Sequence, residues 1–253
     1  MFKILFLIGV VIEIPLVALF LKYYWPDRCK QSFITKVVCS LIFVLLGIFA
    51  AKETGNNTLF ANYMICGLVF GMAGDLLLHA MTTKMLPFIL GVISFLIGHI
   101  YYIMAIQRAI YTTAFSKGAF TWYEILIVLA IIVIAIIVIA AVYGIKTTAF
   151  KRKGAMAYGL MAYGVVLATM LAKAIRYVID VIAFGVDDNM FMIALTVGLG
   201  AILFFLSDAS LGIILVDDKP VKRGMRIFNI TTYYAAQVLL AASIFFVFSR
   251  ELY

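Results

Sequence analysis

Residues 125–142 read ILIVLAIIVIAIIVIAAV, a run of eighteen residues without a polar side chain. A helix that crosses about 30 Å of hydrocarbon needs about 20 mainly apolar residues, so this run has the length of a membrane span. Its Ile and Val content would favour a strand in water. An open strand in lipid leaves backbone groups unpaired, so the run is predicted to be a transmembrane helix.

Similar apolar runs occupy most of the chain. Hydrophobic residues make up 66% of the 253 residues and charged residues 13%, about half the charged share of a soluble domain. A water-soluble protein of this size has no interior large enough for so many apolar side chains. The sequence therefore predicts one all-α transmembrane domain over residues 1–253, a polytopic bundle of about eight helices. The predicted spans are Ile4–Leu21, Phe33–Ala51, Leu59–His79, Leu86–Ala105, Glu124–Tyr143, Ala155–Ala172, Met190–Val216 and Asn229–Phe248.

The Lys and Arg residues of the loops predict the orientation of the bundle. The loops after spans one, three, five and seven hold twelve of these cations, and the opposite side holds five, or seven with Lys173 and Arg176. Positive loops face the cytoplasm, so both termini are predicted to lie outside it. The net charge of +8 is explained by this bias and by contact with anionic membrane lipid, without a nucleic-acid partner. Lys173, Arg176 and Asp180, which follow span six, are predicted to reach the headgroups, with Arg176 and Asp180 paired.

The chain also contains an apparent internal repeat. Residues 67–78 read GLVFGMAGDLLL and residues 200–211 read GAILFFLSDASL, so Gly precedes Asp by eight residues and Leu follows it by three in both. A Tyr pair follows in the next span in each case, at 101–102 and 233–234. These matches predict a parallel 4+4 repeat with halves 1–121 and 122–253, related by an axis along the membrane normal.

Several polar side chains lie within the predicted spans. An ionisable residue in hydrocarbon is costly and is therefore a functional hypothesis, so Asp75 and Asp208, at matched positions of the repeat, are the central candidates. The alternative is that each Asp is a hydrogen-bond partner in helix packing. Lys36 is predicted either to reach toward the headgroups or to pair with an Asp or a phosphate. The other candidates are His99, Tyr102, Tyr233 and Gln237.

Two further ionisable residues have simpler interpretations. His79 is predicted to contact solvated headgroups at a span end, and Glu13 to make a local polar contact near Pro15. The chain has two His residues and three scattered Cys residues, which do not make a three-His catalytic zinc site. No phosphate-cradling or dinucleotide-binding motif is present, so the sequence predicts no metal and no cofactor.

Four ordered motifs give the chain a family resemblance. They are GDLLL at 74–78, FLIGHIYY at 95–102, FLSD at 205–208 and TYYAAQ at 232–237. These motifs, with Lys36 in span two, resemble the YhhN-like, or lysoplasmalogenase, family of eight-span membrane proteins. The resemblance implies hydrolysis of the vinyl ether of a lysophospholipid substrate, giving a fatty aldehyde and glycerophosphocholine or glycerophosphoethanolamine.

The predicted chemistry suits the two acids. Vinyl ether hydrolysis passes through an oxocarbenium-like cation, and glycosidases handle a related cation with two carboxyl groups. Asp75 and Asp208 are predicted to be acid and base in an unassigned order. Tyr102, His99, Tyr233 and Gln237 would orient water or glycerol oxygens, and Lys36 would meet the phosphate.

Two other functions fit the same pattern. A transporter for small molecules or lipids, built on a duplicated four-helix unit, also places polar residues near the middle of the membrane. A non-catalytic lipid-binding or scaffold protein is the second alternative. Substitution of either Asp separates these classes, because an enzyme loses turnover while a binding protein keeps its ligand.

Overall fold

The computed structural model describes residues 1–55, 58–80, 84–112, 120–143, 155–184, 187–216 and 222–246. Within these ranges the chain forms eight α-helices and no strand, which confirms the predicted all-α bundle. The helices are α1 (Phe2–Tyr23), α2 (Lys30–Thr54), α3 (Leu59–Leu78), α4 (Met85–Thr112), α5 (Trp122–Tyr143), α6 (Ala155–Phe184), α7 (Asp188–Val216) and α8 (Arg223–Ser243), and a 3₁₀ turn follows at Ile244–Phe246.

Six of the described helices are long and apolar enough to cross a membrane: α1 to α4, α7 and α8. Helix α5 contains the apolar run 125–142, as predicted. Helix α6 continues through Lys173, Arg176 and Asp180 to Phe184, twelve residues beyond the predicted end of span six at Ala172. The orientation rests partly on Lys146, Lys151, Arg152, Lys153 and Lys219, which lie outside the described residues, so it stays a prediction.

Local sequence signals set two of the helix starts. The Cys29 amide donates to Ser32 Oγ at 3.0 Å and the Ser32 amide donates to Cys29 Sγ at 3.4 Å, which forms a capping box at the start of α2. The Ala61 amide donates to Thr58 Oγ1 at 3.2 Å at the start of α3. Helix α2 ends at Gly55, whose φ of 64° is the left-handed conformation that favours glycine.

Helices that follow one another in the chain pack together within each half, from α1 to α4 and from α5 to α8. Between the halves, α2 packs against α8 and α4 packs against α6. In a parallel repeat, α2 corresponds to α6 and α4 corresponds to α8. The α2–α8 contact is then the counterpart of the α6–α4 contact, as two-fold symmetry requires. Helix α1 also packs against α8, and no comparable contact joins α5 to α4 among the described residues. The 4+4 repeat therefore stays a prediction.

Glycines of α3 allow α4 to approach closely. A Cβ at Gly74 would lie 2.6 Å from the Phe95 ring, a Cβ at Gly67 would overlap the Tyr102 ring, and a Cβ at Gly98 would lie 3.2 Å from the Gly67 carbonyl oxygen. Small residues of this kind let membrane helices pack backbone to backbone. This close packing brings Tyr102 of α4 next to the helix that carries Asp75.

We expect Gly67→Ala to lower the free energy of unfolding by about 1–3 kcal/mol, because the added methyl group overpacks the seam and displaces the Tyr102 ring. The measurement is thermal unfolding of the purified protein in detergent. Gly212→Ala is the matched control, since an added Cβ there meets no described atom within 4 Å. Equal unfolding temperatures for Gly67→Ala and the wild type would contradict the tight seam.

The charges of α6 correct the sequence prediction. Arg176 is 0% exposed and Lys173 is 2% exposed, so neither reaches the headgroups. Both contact buried Glu124 of α5, with Lys173 Nζ 2.9 Å from Oε1 and Arg176 Nη1 2.7 Å from Oε2. The predicted pair of Arg176 with Asp180 is present at 3.4 Å. The burial of Lys173 and Arg176 is tolerated because α5 supplies the carboxylate of Glu124. The sequence of α6 alone does not reveal this partner.

Glu124→Gln is expected to destabilise the protein by about 3–5 kcal/mol, because it leaves Lys173 and Arg176 buried with less counter-charge. Glu53→Gln serves as the control, since Glu53 forms an exposed pair with the N-terminal amine and its loss should have little effect. Thermal unfolding in detergent compares the two. A Glu124→Gln protein as stable as Glu53→Gln would show that the buried cluster contributes nothing to stability.

Candidate active site

Asp75 lies in the middle of a buried polar network between α2, α3 and α8. Asp75 is 2% exposed. Lys36 Nζ lies 2.8 Å from Oδ1, while Ser40 Oγ donates to Oδ2 at 2.6 Å and Tyr233 OH donates to the same oxygen at 2.9 Å. All three partners present donors or positive charge to the Asp75 carboxyl, which is the environment of an ionised carboxylate.

Lys36 is the counter-charge of Asp75. The sequence left open whether Lys36 reaches toward the headgroups or pairs with an Asp or a phosphate. In the structure Lys36 is buried and forms an ion pair with Asp75. Its ammonium group also lies over three aromatic rings, at 5.2 Å from Phe20, 5.6 Å from Tyr233 and 5.8 Å from Tyr234. These contacts offset part of the desolvation of the ammonium group.

A chain of hydrogen bonds extends from Asp75 to α4. Tyr102 OH donates to Gln237 Oε1 at 2.6 Å, and Gln237 Nε2 donates to Tyr233 OH at 3.0 Å. Since Tyr233 donates onward to Asp75, every bond in the chain points toward the carboxylate. Bonds aligned in this way polarise one another and hold the carboxylate in one geometry.

Asp208 of α7 has a different set of partners. Tyr163 OH of α6 donates a hydrogen bond to Oδ2, and His99 Nε2 of α4 lies 3.5 Å from the same oxygen. The geometry of the His99 approach is not that of a hydrogen bond. Asp208 therefore has one hydroxyl donor and a neighbouring imidazole, and no Lys or Arg forms an ion pair with it among the described residues.

The imidazole of His99 is oriented by its own backbone. Nδ1 lies 2.7 Å from the Phe95 carbonyl oxygen, which only accepts hydrogen bonds, so Nδ1 carries the hydrogen of the neutral ring. Nε2 lies toward Asp208 and has a lone pair when the ring is neutral. The ring is held by Phe204 at 4.7 Å and Tyr163 at 5.3 Å between centroids.

Phe204 connects the two clusters. Its ring centroid lies 4.7 Å from that of His99, 5.5 Å from Tyr233 and 6.0 Å from Tyr102. Asp75 and Asp208 form no hydrogen bond with each other among the described residues, and each has its own set of partners. The structure thus brings the seven predicted site residues into two adjacent clusters: Lys36, Asp75, Tyr102, Tyr233 and Gln237 in one, His99 and Asp208 in the other.

Sequence reasoning missed Ser40 and Tyr163. Ser40 lies four residues after Lys36, and this helical spacing is a signal that would have placed both side chains on one face of α2. Tyr163 has no comparable signal, because Tyr158 in the same apolar helix is also followed by Gly. Only the packing of α6 against α7 singles out Tyr163.

His79 and Glu13 differ from their predicted settings. His79 is buried rather than solvated; its Nε2 lies 2.9 Å from Ser32 Oγ and its ring centroid lies 4.9 Å from that of Tyr24. The ends of α1 and α2 cover it, which the sequence of α3 does not reveal. Glu13 is 3% exposed, and neither carboxyl oxygen has a hydrogen-bond partner among the described residues, so the local polar contact predicted near Pro15 is wrong.

The donor set suits proton transfer better than metal binding. No group of three or more His, Cys, Asp or Glu side chains within the described ranges is placed to hold a metal ion. The two carboxyl groups instead face hydroxyl, ammonium and imidazole groups. That the reaction needs no metal stays a prediction, which activity after exposure to a chelator would test.

Comparisons with known proteins identify the family. No curated protein and no solved structure gives a significant match. The sequence model of the YhhN family matches residues 31–244, from the start of α2 to the end of α8. This range covers most of the chain and includes every residue of the two clusters. The chain therefore belongs to the YhhN family.

Proposed function

We propose that this YhhN-family protein is a membrane-embedded hydrolase that cleaves the vinyl ether bond of lysoplasmalogens. The family includes lysoplasmalogenases. The observation that carries the proposal is the unequal surroundings of two buried acids. Asp75 has a cation and two hydroxyl donors, whereas Asp208 has one hydroxyl donor and an imidazole nitrogen at 3.5 Å.

These surroundings suggest the order of roles that the sequence left open. Asp208 has no cation paired with it among the described residues, which favours its uncharged acid form, while a carboxylate at Asp75 has its negative charge matched by Lys36. In several enzymes, two neighbouring carboxyl groups with different surroundings take different roles. One stays protonated and donates a proton, and the other stays ionised. We assign proton donation to Asp208 and charge stabilisation to Asp75.

The reaction then proceeds in balanced steps. Asp208 transfers a proton to the β-carbon of the vinyl ether, and the α-carbon becomes an oxocarbenium ion next to the ether oxygen. Water adds to the α-carbon, and its proton returns to a carboxylate. The resulting hemiacetal loses its hydroxyl proton as the bond to the glycerol oxygen breaks, and that oxygen takes up a proton. The reaction consumes one water molecule. It releases a fatty aldehyde and glycerophosphocholine or glycerophosphoethanolamine.

The surrounding residues have supporting roles in this scheme. The Asp75 carboxylate stabilises the positive charge of the oxocarbenium ion and orients the attacking water. Tyr233, Gln237 and Tyr102 hold that carboxylate in place through their hydrogen-bond chain. Lys36 is the counter-charge of the Asp75 carboxylate in this scheme, and its predicted contact with the substrate phosphate stays untested.

The direct test uses purified protein in nanodiscs with three lysolipids that share a headgroup and chain length. One carries a vinyl ether, one an ester and one a saturated alkyl ether. Aldehyde release from the vinyl ether lipid alone is the expected result. Uptake of the vinyl ether lipid into proteoliposomes without any aldehyde would contradict the proposal and favour the transporter.

A further inference from the structure

Asn229 of α8 and Ser207 of α7 form a reciprocal set of hydrogen bonds. Asn229 Nδ2 donates to the Ser207 carbonyl oxygen at 2.8 Å and to Ser207 Oγ at 3.1 Å. Ser207 Oγ donates in return to the Asn229 carbonyl oxygen at 3.0 Å. Both residues are buried, with 1% of Ser207 and 8% of Asn229 exposed. These three bonds form a clamp between α7 and α8.

One side of the clamp holds the backbone next to an acid of the site. Ser207 directly precedes Asp208, so the Ser207 carbonyl belongs to the peptide group that joins the two residues. The position of that peptide group along α7 determines where the Asp208 carboxyl lies. Asn229 therefore restrains the acid to which proton donation is assigned, and it does so through the backbone.

The other side of the clamp leads to the second acid. Asn229 and Tyr233 are four residues apart, so they lie on one ridge of α8, one turn from each other. Tyr233 OH donates to Asp75 Oδ2 at 2.9 Å. The same ridge of α8 thus bonds to the helix that carries Asp208 and to the carboxyl of Asp75.

The other contacts between α7 and α8 are less selective for register. Phe204 packs against Tyr233 with 5.5 Å between ring centroids, and a Cβ at Gly200 would lie 3.1 Å from the Leu240 side chain. Apolar surfaces stay in contact when they slide, whereas a hydrogen bond keeps its heavy atoms within about 2.7–3.2 Å. A slide by one residue, about 1.5 Å, would break the clamp.

We propose that Asn229 is a positioning residue that sets the placement of Asp208 relative to Asp75 by locking α7 against α8. This inference rests on the proposed function, because the relative placement matters for a reaction that uses both acids. Asn229 acts through the peptide between Ser207 and Asp208 and through α8, and it has no assigned contact with the substrate.

The first test is Asn229→Leu, which keeps a side chain of similar size and removes the amide donor. The value of kcat for aldehyde release should fall by about ten- to a hundredfold, since a misplacement of about 1 Å can cost about 10²-fold in rate. KM should stay near the wild-type value, because no group that contacts the substrate is lost. Rates are measured per folded protein in nanodiscs, below the unfolding temperature of each variant. A wild-type kcat would overturn the proposal.

Ser207→Ala is the milder variant. It removes the hydroxyl group but keeps the carbonyl oxygen that accepts the 2.8 Å bond from Asn229, so kcat should fall less than in Asn229→Leu. The loss in the double variant should be smaller than the product of the two single losses, because the two side chains share a hydrogen bond. Losses that multiply in full would overturn the clamp.

Thr196→Val is the matched control. Thr196 is a buried hydroxyl residue of α7, and its Oγ1 donates to the Met192 carbonyl oxygen of the same helix at 2.7 Å. Val keeps the shape of the side chain and removes the hydroxyl group, so kcat should stay near the wild-type value. An equal fall in Thr196→Val and Asn229→Leu would overturn the proposal, because any lost hydrogen bond in these helices would then have the same effect.

A cross-link measures the register without substrate. Gly200→Cys/Leu240→Cys places two thiols where α7 and α8 are in close contact away from the clamp. The yield of the disulfide between positions 200 and 240, measured by mass spectrometry, should fall when Asn229→Leu is added, and an unchanged yield would overturn the proposal. The two proposals fail separately: a lower yield in a protein that releases no aldehyde contradicts only the hydrolase, while aldehyde release at a wild-type kcat in Asn229→Leu contradicts only the clamp.

Discussion

Asp208→Asn should lower kcat for aldehyde release by at least about 10²-fold, because general acid catalysis typically contributes about 10²–10⁴-fold. The amide keeps the shape of the side chain and still accepts the hydrogen bond from Tyr163. It has no acidic proton for the β-carbon. Initial rates of aldehyde formation in nanodiscs, at saturating vinyl ether lysolipid, give the comparison.

Glu13→Gln is the matched control for this variant. Glu13 is also a buried acid within a span, but its oxygens have no described hydrogen-bond partner and it belongs to neither cluster. We expect its kcat to stay within about tenfold of wild type, since no proton donor to the substrate is lost. If Asp208→Asn remained folded and turned over substrate as fast as Glu13→Gln, the assignment of Asp208 as proton donor would be refuted.

Asp75→Asn should lose both stability and turnover. The substitution removes the counter-charge of Lys36, and breaking a buried ion pair by removing one partner costs about 3–5 kcal/mol. The anion that stabilises the oxocarbenium ion disappears as well, so we expect kcat to fall by at least about 10²-fold. Thermal unfolding in detergent and aldehyde release measure the two losses independently.

A double variant separates the two roles of Asp75. Lys36→Met/Asp75→Asn removes both charges, so the unfolding temperature should return toward the wild-type value, because no unpaired charge remains buried. Turnover should stay as low as in Asp75→Asn. Recovery of turnover together with stability would mean that the Lys36–Asp75 pair is structural, and that the anion of the reaction lies elsewhere.

The helices of the bundle were predictable because lipid imposes a simple rule. A spanning segment must be apolar over its length and must satisfy its own backbone hydrogen bonds. The run 125–142 and its counterparts follow this rule, and the observed helices contain six of the eight predicted spans in full. Span three was predicted to end one residue past α3, and span eight was predicted to end past Ser243, where α8 ends. The predicted exposure of Lys173 and Arg176 was wrong because these residues were judged without Glu124. Glu124 of α5 neutralises part of their charge. A hydropathy rule that considers one segment at a time does not include residues of a neighbouring helix.

Which site residues could be predicted from the sequence depended on the type of side chain. Asp75, Asp208, Lys36 and His99 are expensive in hydrocarbon, so their presence alone marked them as candidates. Ser40 and Tyr163 are hydroxyl residues that are common in membrane helices, and nothing in their type signals a role. Their contacts with the two carboxyl groups became visible only when α2 packed on α3 and α6 on α7.

The sequence by itself determined the class of the protein, the helices and the set of costly polar residues, because solvation by lipid acts on each segment separately. The tertiary structure decided which polar groups meet. It paired Lys36 with Asp75 and placed Tyr163 and His99 at Asp208, so that two acids of the same type have different hydrogen-bond partners. The physical reason is that charges and hydrogen bonds act over a few ångströms, between helices that lie far apart in the chain.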